Sequence, residues 1–141
     1  MQDFIGFATE NWVLMLLWIS AAATLYYTET KKAGKSVNTT EATRLLNREN
    51  ALVLDIREPK EFAEGHITGA RNYPASSFSS KISELDKFRT RPVVVVCKIG
   101  SASGAVTKTL KKQGFKNVVR LAGGMSEWQA SSLPVKRGKK A

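Results

Sequence analysis

The chain of 141 residues contains a single cysteine, a single histidine and four prolines, and its first thirty residues hold no lysine or arginine. One thiol excludes an internal disulfide, so no disulfide framework supports the fold, and a free thiol suits a reducing compartment. With one Cys and one His, a Cys/His zinc site is out of reach, and no metal or cofactor is expected. A Walker phosphate loop is excluded as well, because Gly100 and Gly104 stand too close together and Ala105 follows where Lys is required. There are no internal repeats. The basic residues are scattered without interleaved aromatics, so nucleic acid is not an expected partner.

What is present is unevenly distributed. The first thirty residues carry Asp3, Glu10 and Glu29, whereas the remainder holds all 22 basic residues against nine acidic ones, about +13. Such a surface attracts anionic lipid or small anions. Trp12 to Tyr27 reads WVLMLLWISAAATLYY, uncharged and apolar on every side, with aromatic residues at both ends. A cleaved signal peptide ending at Ala21-Ala22-Ala23 would need a positive start, and Asp3 and Glu10 occupy that region instead. The expectation is one uncleaved transmembrane helix. Lys31, Lys32 and Lys35 follow it, so the N-terminus should face outward and the bulk of the chain the cytoplasm, at the inner membrane. The organisation expected is an anchor over 1–30, a linker over 31–37, a domain over 38–134 and a disordered basic tail over 135–141.

Within the domain, strands alternate with helices. Asn38 and Glu41 mark a helix start in the manner of a capping box. Ala51–Ile56 reads as a buried strand, Pro59 opens a short helix that stops by Gly65, and Ala70–Tyr73 is a short strand. A serine-rich loop around Phe78 leads to a helix over Lys81–Phe88. The unbroken run Val93–Val96 suggests a central strand covered on both faces. A helix from about Ser103 to Gln113 ends at Gly114, Asn117–Leu121 is the next strand, and Gly123-Gly124 turns into a last helix that packs through Trp128. The fold class is therefore α/β, a parallel or mostly parallel sheet flanked by helices.

The only cysteine stands where the valine run gives way to small residues, in VVVVCKIGSASG. A strand that runs through a short loop into a helix converges backbone N–H groups and adds the positive end of the helix dipole. That arrangement favours a thiolate at Cys97, with Lys98 adjacent and Gly100 permitting a tight turn. Taken alone, the same pattern also describes a buried packing cysteine at a strand end. Cysteine phosphatases carry an Arg six positions after the Cys; Ser103 occupies it here, which removes phosphoryl chemistry.

Three stretches, in order, resemble the rhodanese (sulfurtransferase) family: LVLDIREPKEFAEGHITGARNYP, VVVVCKIGSAS and GFKNVVRLAGGMSEW, together spanning about residues 38–134. With the N-terminal segment, the chain resembles the single-domain, membrane-anchored bacterial members. The resemblance implies a rhodanese-like sheet and a persulfide carried by Cys97. The sulfur would come from thiosulfate or a persulfide donor and pass to a thiol or cyanide. The cradle for the persulfide anion would be the backbone of Lys98, Ile99, Gly100, Ser101, Ala102 and Ser103. Asp55, Arg57, Glu61, His66, Gly123, Gly124 and Trp128 match family positions and read as structural. Many family loops place Arg where Lys98 and Ala102 stand, which lowers the charge available to a dianion and favours a protein persulfide or low-molecular-weight thiol as partner. A second reading is a membrane-tethered adaptor that keeps the fold and binds a membrane protein or anionic lipid without catalysis.

Overall fold

The structure, a computed structural model, describes residues 1–32 and 34–140 and divides into two compact units, residues 1–32 and 33–141. The first unit is helical: α1 spans Gln2–Glu10 and α2 spans Trp12–Lys32. Trp12, Leu14, Leu16, Leu17, Trp18 and Ile19 of α2 are each more than half exposed. Among the described residues, however, no helix is long and apolar enough to cross a membrane. The helix has the length, but its apolar stretch is diluted by Tyr26, Tyr27, Thr28 and Glu29 before twenty apolar residues accumulate. The expected transmembrane anchor is corrected to that extent.

The second unit is built on a five-stranded sheet in the order β1-β5-β4-β2-β3, with every pair parallel. Its strands are β1 (Ser36–Val37), β2 (Leu52–Asp55), β3 (Arg71–Asn72), β4 (Val93–Val96) and β5 (Val118–Leu121). The helices between them are α3 (Thr39–Arg48), α4 (Pro59–Glu64), α5 (Phe78–Lys81), α6 (Ser103–Lys112) and α7 (Gly124–Ala130). Every residue of β2 and β4 is buried, as parallel strands covered on both faces must be. The alternation of side chains splits the core in two. Val53, Val94, Val96 and Leu121 pack with Leu45 of α3, Phe62 of α4 and Trp128 of α7. Leu52, Leu54, Val93, Val95 and Cys97 pack on the other face with Val106 and Leu110 of α6 and with Phe78, Leu85 and Phe88.

Local chemistry explains most boundaries. The Asn38 side chain accepts the Glu41 N–H at 2.8 Å and caps α3. Glu41 does not complete a reciprocal box; its carboxylate binds Arg44 instead, and that charge-assisted hydrogen bond holds the carboxyl below its ordinary value. Pro59 begins α4, where a missing N–H has no cost. Three readings of the sequence are revised. The segment taken as a linker contributes β1, which pairs with β5 at the sheet edge. The helix expected over Lys81–Phe88 is a 3₁₀ helix over Ile82–Phe88 preceded by α5. The tail is tied down through Lys136: its N–H donates to the His66 carbonyl at 2.8 Å, and the His66 N–H donates back at 2.9 Å. The Gly138 N–H adds a bond to the Ala63 carbonyl, so residues expected to be disordered lie along α4.

Candidate functional site

The sheet order places a topological switch point between β2 and β4. After β2 the chain crosses outward to β3, and after β4 it crosses the other way to β5. Ligand sites in such sheets lie at the carboxyl ends of the strands beside that point. Both stretches singled out in the sequence end there: Ile56 and Arg57 follow β2, and Cys97 follows β4. The Ile56 N–H donates to the Val96 carbonyl, which locks the two strand ends together.

Cys97 is only 4% exposed, yet its sulfur is not an ordinary packing atom. The Gly100 N–H donates to Sγ at 2.9 Å, so the loop folds back over the thiol as an N–H donor. Gly100 achieves this with φ +92°, and a Cβ there would press on the Gly123 nitrogen at 3.1 Å. The outer carbonyls of the loop are held by the start of α7: the Met125 N–H donates to the Cys97 carbonyl at 2.8 Å and the Ser126 N–H to the Lys98 carbonyl at 3.0 Å. Gly124 makes that approach possible, since a Cβ at this position would overlap the Cys97 carbonyl oxygen. Ser103, fully buried, donates through its hydroxyl to the Gly100 carbonyl at 2.9 Å and seats the loop on α6.

The other members of the expected cradle differ in exposure. Ser101 and Ala102 are exposed. Ile99 projects outward at 63% exposure. Lys98 also points outward, with its Nζ 3.7 Å from Glu61 Oε1 of α4. Glu61 thus contacts the side chain of the loop lysine. It faces the loop from across a cleft of about 200 Å³ that Arg57, Glu64, Met125 and Gln129 also line.

Of the remaining family positions, Asp55 and Arg57 form a closed hydrogen-bond network. Asp55, 1% exposed, accepts Arg57 Nη2 at 2.7 Å, and Arg57 also donates to the Gly65 carbonyl at 2.7 Å. The Asn72 side chain donates to the Arg57 carbonyl at 2.8 Å. Together these bonds tie the end of β2 to the turn after α4 and to β3. His66 stacks on Phe62 with ring centroids 3.8 Å apart, and its Nδ1–H donates to the Phe62 carbonyl at 2.8 Å, while Nε2 is buried without a protein partner. Trp128 donates its indole N–H to the Pro134 carbonyl at 3.0 Å. Tyr73, just after β3, donates to Glu84; burial first, and then that carboxylate, raises its phenol above the ordinary value.

One residue near the loop was assigned nothing by the sequence. Arg120 lies on β5 in register with Val95, and its Nη1 reaches the Gly100 carbonyl at 3.5 Å. Its Nε is buried with no protein partner. The available signal was an arginine inside the otherwise apolar VVRL strand.

Comparison with known proteins agrees with this architecture. The family model described as "Rhodanese-like domain" matches residues 38–131. The uncharacterized protein YibN of Escherichia coli (strain K12) is 34% identical over 143 residues, covering 99% of this chain and 100% of YibN. The thiosulfate sulfurtransferase GlpE of Pseudomonas putida (strain KT2440) is 38% identical over 97 residues, covering 69% of this chain and 86% of GlpE. Among solved structures, a rhodanese-related protein from Thermoplasma volcanium superposes with a TM-score of 0.64 at 32% identity, covering 73% of this chain and 98% of its own.

Proposed function

The chain belongs to the rhodanese-like domain family, and from that premise we propose that it is a sulfurtransferase that carries sulfane sulfur as a persulfide on Cys97. The observation that carries the reading is the Gly100 N–H directed at Cys97 Sγ from 2.9 Å at the mouth of the switch point. A hydrogen-bond donor preorganised at the sulfur stabilises negative charge there without any rearrangement.

The chemistry balances in two displacements. The Cys97 thiolate attacks the outer sulfur of thiosulfate; the new S–S bond forms as the S–S bond to the sulfonate sulfur breaks, and sulfite leaves with the electron pair. An acceptor thiolate or cyanide then attacks the outer sulfur of the persulfide. The bond to Cys97 Sγ breaks, returning the thiolate and releasing a new persulfide or thiocyanate. The enzyme alternates between two covalent states, so the kinetics are ping-pong. The nearest exposed cation, Lys98, faces Glu61 and lacks the paired donors of an arginine, which supports a protein persulfide or small thiol over free thiosulfate as the working partner.

Mass spectrometry of the full chain after incubation with thiosulfate tests this. A gain of one sulfur atom, removed by cyanide and absent in Cys97→Ser, is the expected result. No adduct from thiosulfate or from a persulfide donor overturns the reading and leaves a fold used for binding alone, with a membrane protein or anionic lipid as the partner.

We place the protein at the cytoplasmic face of the inner membrane, with α2 in contact with lipid. The exposed Trp12, Leu14, Leu16, Leu17, Trp18 and Ile19 support the lipid contact, since soluble chains rarely leave so contiguous an apolar surface uncovered, and the lysines at 31, 32 and 35 that follow in the sequence support the cytoplasmic side. The protein should sediment with membranes and lose that behaviour when Leu16, Leu17 and Ile19 are replaced by Ser; recovery of the unaltered chain in the soluble fraction removes the assignment.

A further inference from the structure

We propose that Arg120 is the positioning residue that supplies fixed positive charge to the Cys97 loop, delivered from the neighbouring strand rather than from the loop itself. The proposal deepens the persulfide reading and rests on it for its use in sulfur transfer. Among the described residues, three cations lie near the loop, and their surroundings differ. Arg57 is neutralised by Asp55 at 2.7 Å. Lys98 is 73% exposed in its side chain and faces Glu61, so solvent and a carboxylate both screen it. Arg120 is half-buried on β5, and among the described residues no carboxylate lies within ion-pair distance of it.

A guanidinium recruited only to brace a loop would be expected to saturate its donors. Arg120 does not: among the described residues its guanidinium makes one hydrogen bond, to the Gly100 carbonyl, long at 3.5 Å, and Nε is buried and unpaired. Leaving a buried donor unpaired is costly, and such costs persist where the group has a task in a later state. The task is defined by what the guanidinium touches. The Gly100 carbonyl and the Ser101 N–H belong to one peptide unit. Donation into that carbonyl from Arg120, and from Ser103 at 2.9 Å, polarises the unit and strengthens its N–H as a donor. The N–H of Gly100 itself already points at Cys97 Sγ. Arg120 thus brings a fixed positive charge to the residue whose own N–H meets the sulfur, and it acts on the atom that becomes an anion through its field. It takes the place of the loop arginine that Ala102 does not supply.

The test compares the full chain with Arg120→Gln, Arg120→Lys and Lys98→Met, each alkylated at Cys97 by iodoacetate and by iodoacetamide at one pH. The two reagents share their chemistry and differ in charge, so the ratio of their rates reports the field at the sulfur. Gln retains a donor for the Gly100 carbonyl without the charge. The expected result is that Arg120→Gln lowers the iodoacetate-to-iodoacetamide ratio by about 5-fold, that Arg120→Lys restores it to within about 2-fold, and that Lys98→Met changes it by less than Arg120→Gln does. A purely structural role moves both rates together and leaves the ratio intact. An unchanged ratio in Arg120→Gln, or a larger effect from Lys98→Met, overturns the proposal. Sulfur loading by mass spectrometry in the same samples keeps the two ideas apart. A chain whose ratio falls as expected but which takes up no sulfur retains Arg120's role and loses the persulfide reading.

Discussion

The two sides of the switch point face each other across a few residues, and they are built on opposite principles. On the β2 side, Asp55, Arg57, Gly65 and Asn72 satisfy one another through short hydrogen bonds, with the ion pair almost wholly removed from solvent. On the β4 side, Cys97 Sγ accepts one N–H, Arg120 keeps an unpaired Nε, and Lys98 is held only loosely. A saturated network resists change and positions what is attached to it; an unsaturated one has capacity left for a ligand or a charge that appears during reaction. Polarity at a site can therefore mean two things, and hydrogen-bond completeness separates them. Substitutions on the β2 side should cost stability, and those on the β4 side should cost chemistry.

The largest effect that contrast predicts is at Cys97. Cys97→Ser should reduce sulfur transfer to background, a loss of at least about 10³-fold, because the serine hydroxyl cannot form a persulfide. Its thermal midpoint should stay within a few degrees of the parent. A variant that unfolds instead, with residual transfer per folded molecule, would erase the distinction between the two sides.

Asp55→Ala supplies the converse. It strands the Arg57 guanidinium, 8% exposed, without its counter-charge, and removing one partner of such a pair typically costs about 3–5 kcal/mol. Denaturant unfolding should show that loss, while transfer measured on the folded fraction drops far less than in Cys97→Ser. A stable Asp55→Ala protein with no activity would assign the Asp–Arg pair to the chemistry after all.

Gly124→Ala probes the hinge between the sides. The added methyl overlaps the Cys97 carbonyl, and the residue sits at φ +57°, so the loop must move or the α7 start must give way. A stability loss of about 1–3 kcal/mol is expected for forced overpacking of this kind, with a transfer rate reduced by roughly 10-fold as the Gly100 N–H leaves the sulfur. Retention of full activity would mean that the loop geometry is not what places that donor.

How much of this was legible beforehand follows from the length and autonomy of each element. The buried runs of β2, β4 and β5, the Asn38 cap and the Pro59 start depend on local rules, and all stand where those rules put them. The two-residue strands do not. Ser36–Val37 carries no periodicity, and it becomes a strand only because the edge of β5 offers it hydrogen bonds. The tail is ordered for the same kind of reason, through the backbone of His66 rather than any preference of its own. At the site, Cys97 and its glycine were readable because strand–loop–helix geometry is encoded in consecutive residues. Arg120 was not, since its meaning comes from a register that brings residue 120 beside residue 95 and its side chain to residue 100.

The smallest predicted effect belongs to Glu61, and it tests whether the loose contact on the β4 side limits donor choice. Its carboxylate lies 3.7 Å from Lys98 Nζ, with both side chains substantially exposed, so the pair itself contributes little to stability. Its influence is on the field at the loop mouth, where a carboxylate offsets the exposed Lys98 and repels an incoming dianion. Glu61→Gln keeps the shape of the cleft and removes that charge. The KM for thiosulfate should fall by about 2–3-fold with kcat unchanged, because the donor loses a repulsion present equally in the bound and transition states. Raising ionic strength should shrink the difference between the two proteins, as screening acts on exposed charges first. A KM that does not move, or a change in kcat instead, would show that Glu61 acts by holding Lys98 in place rather than by its charge, and would move it from the open side of the site to the saturated one.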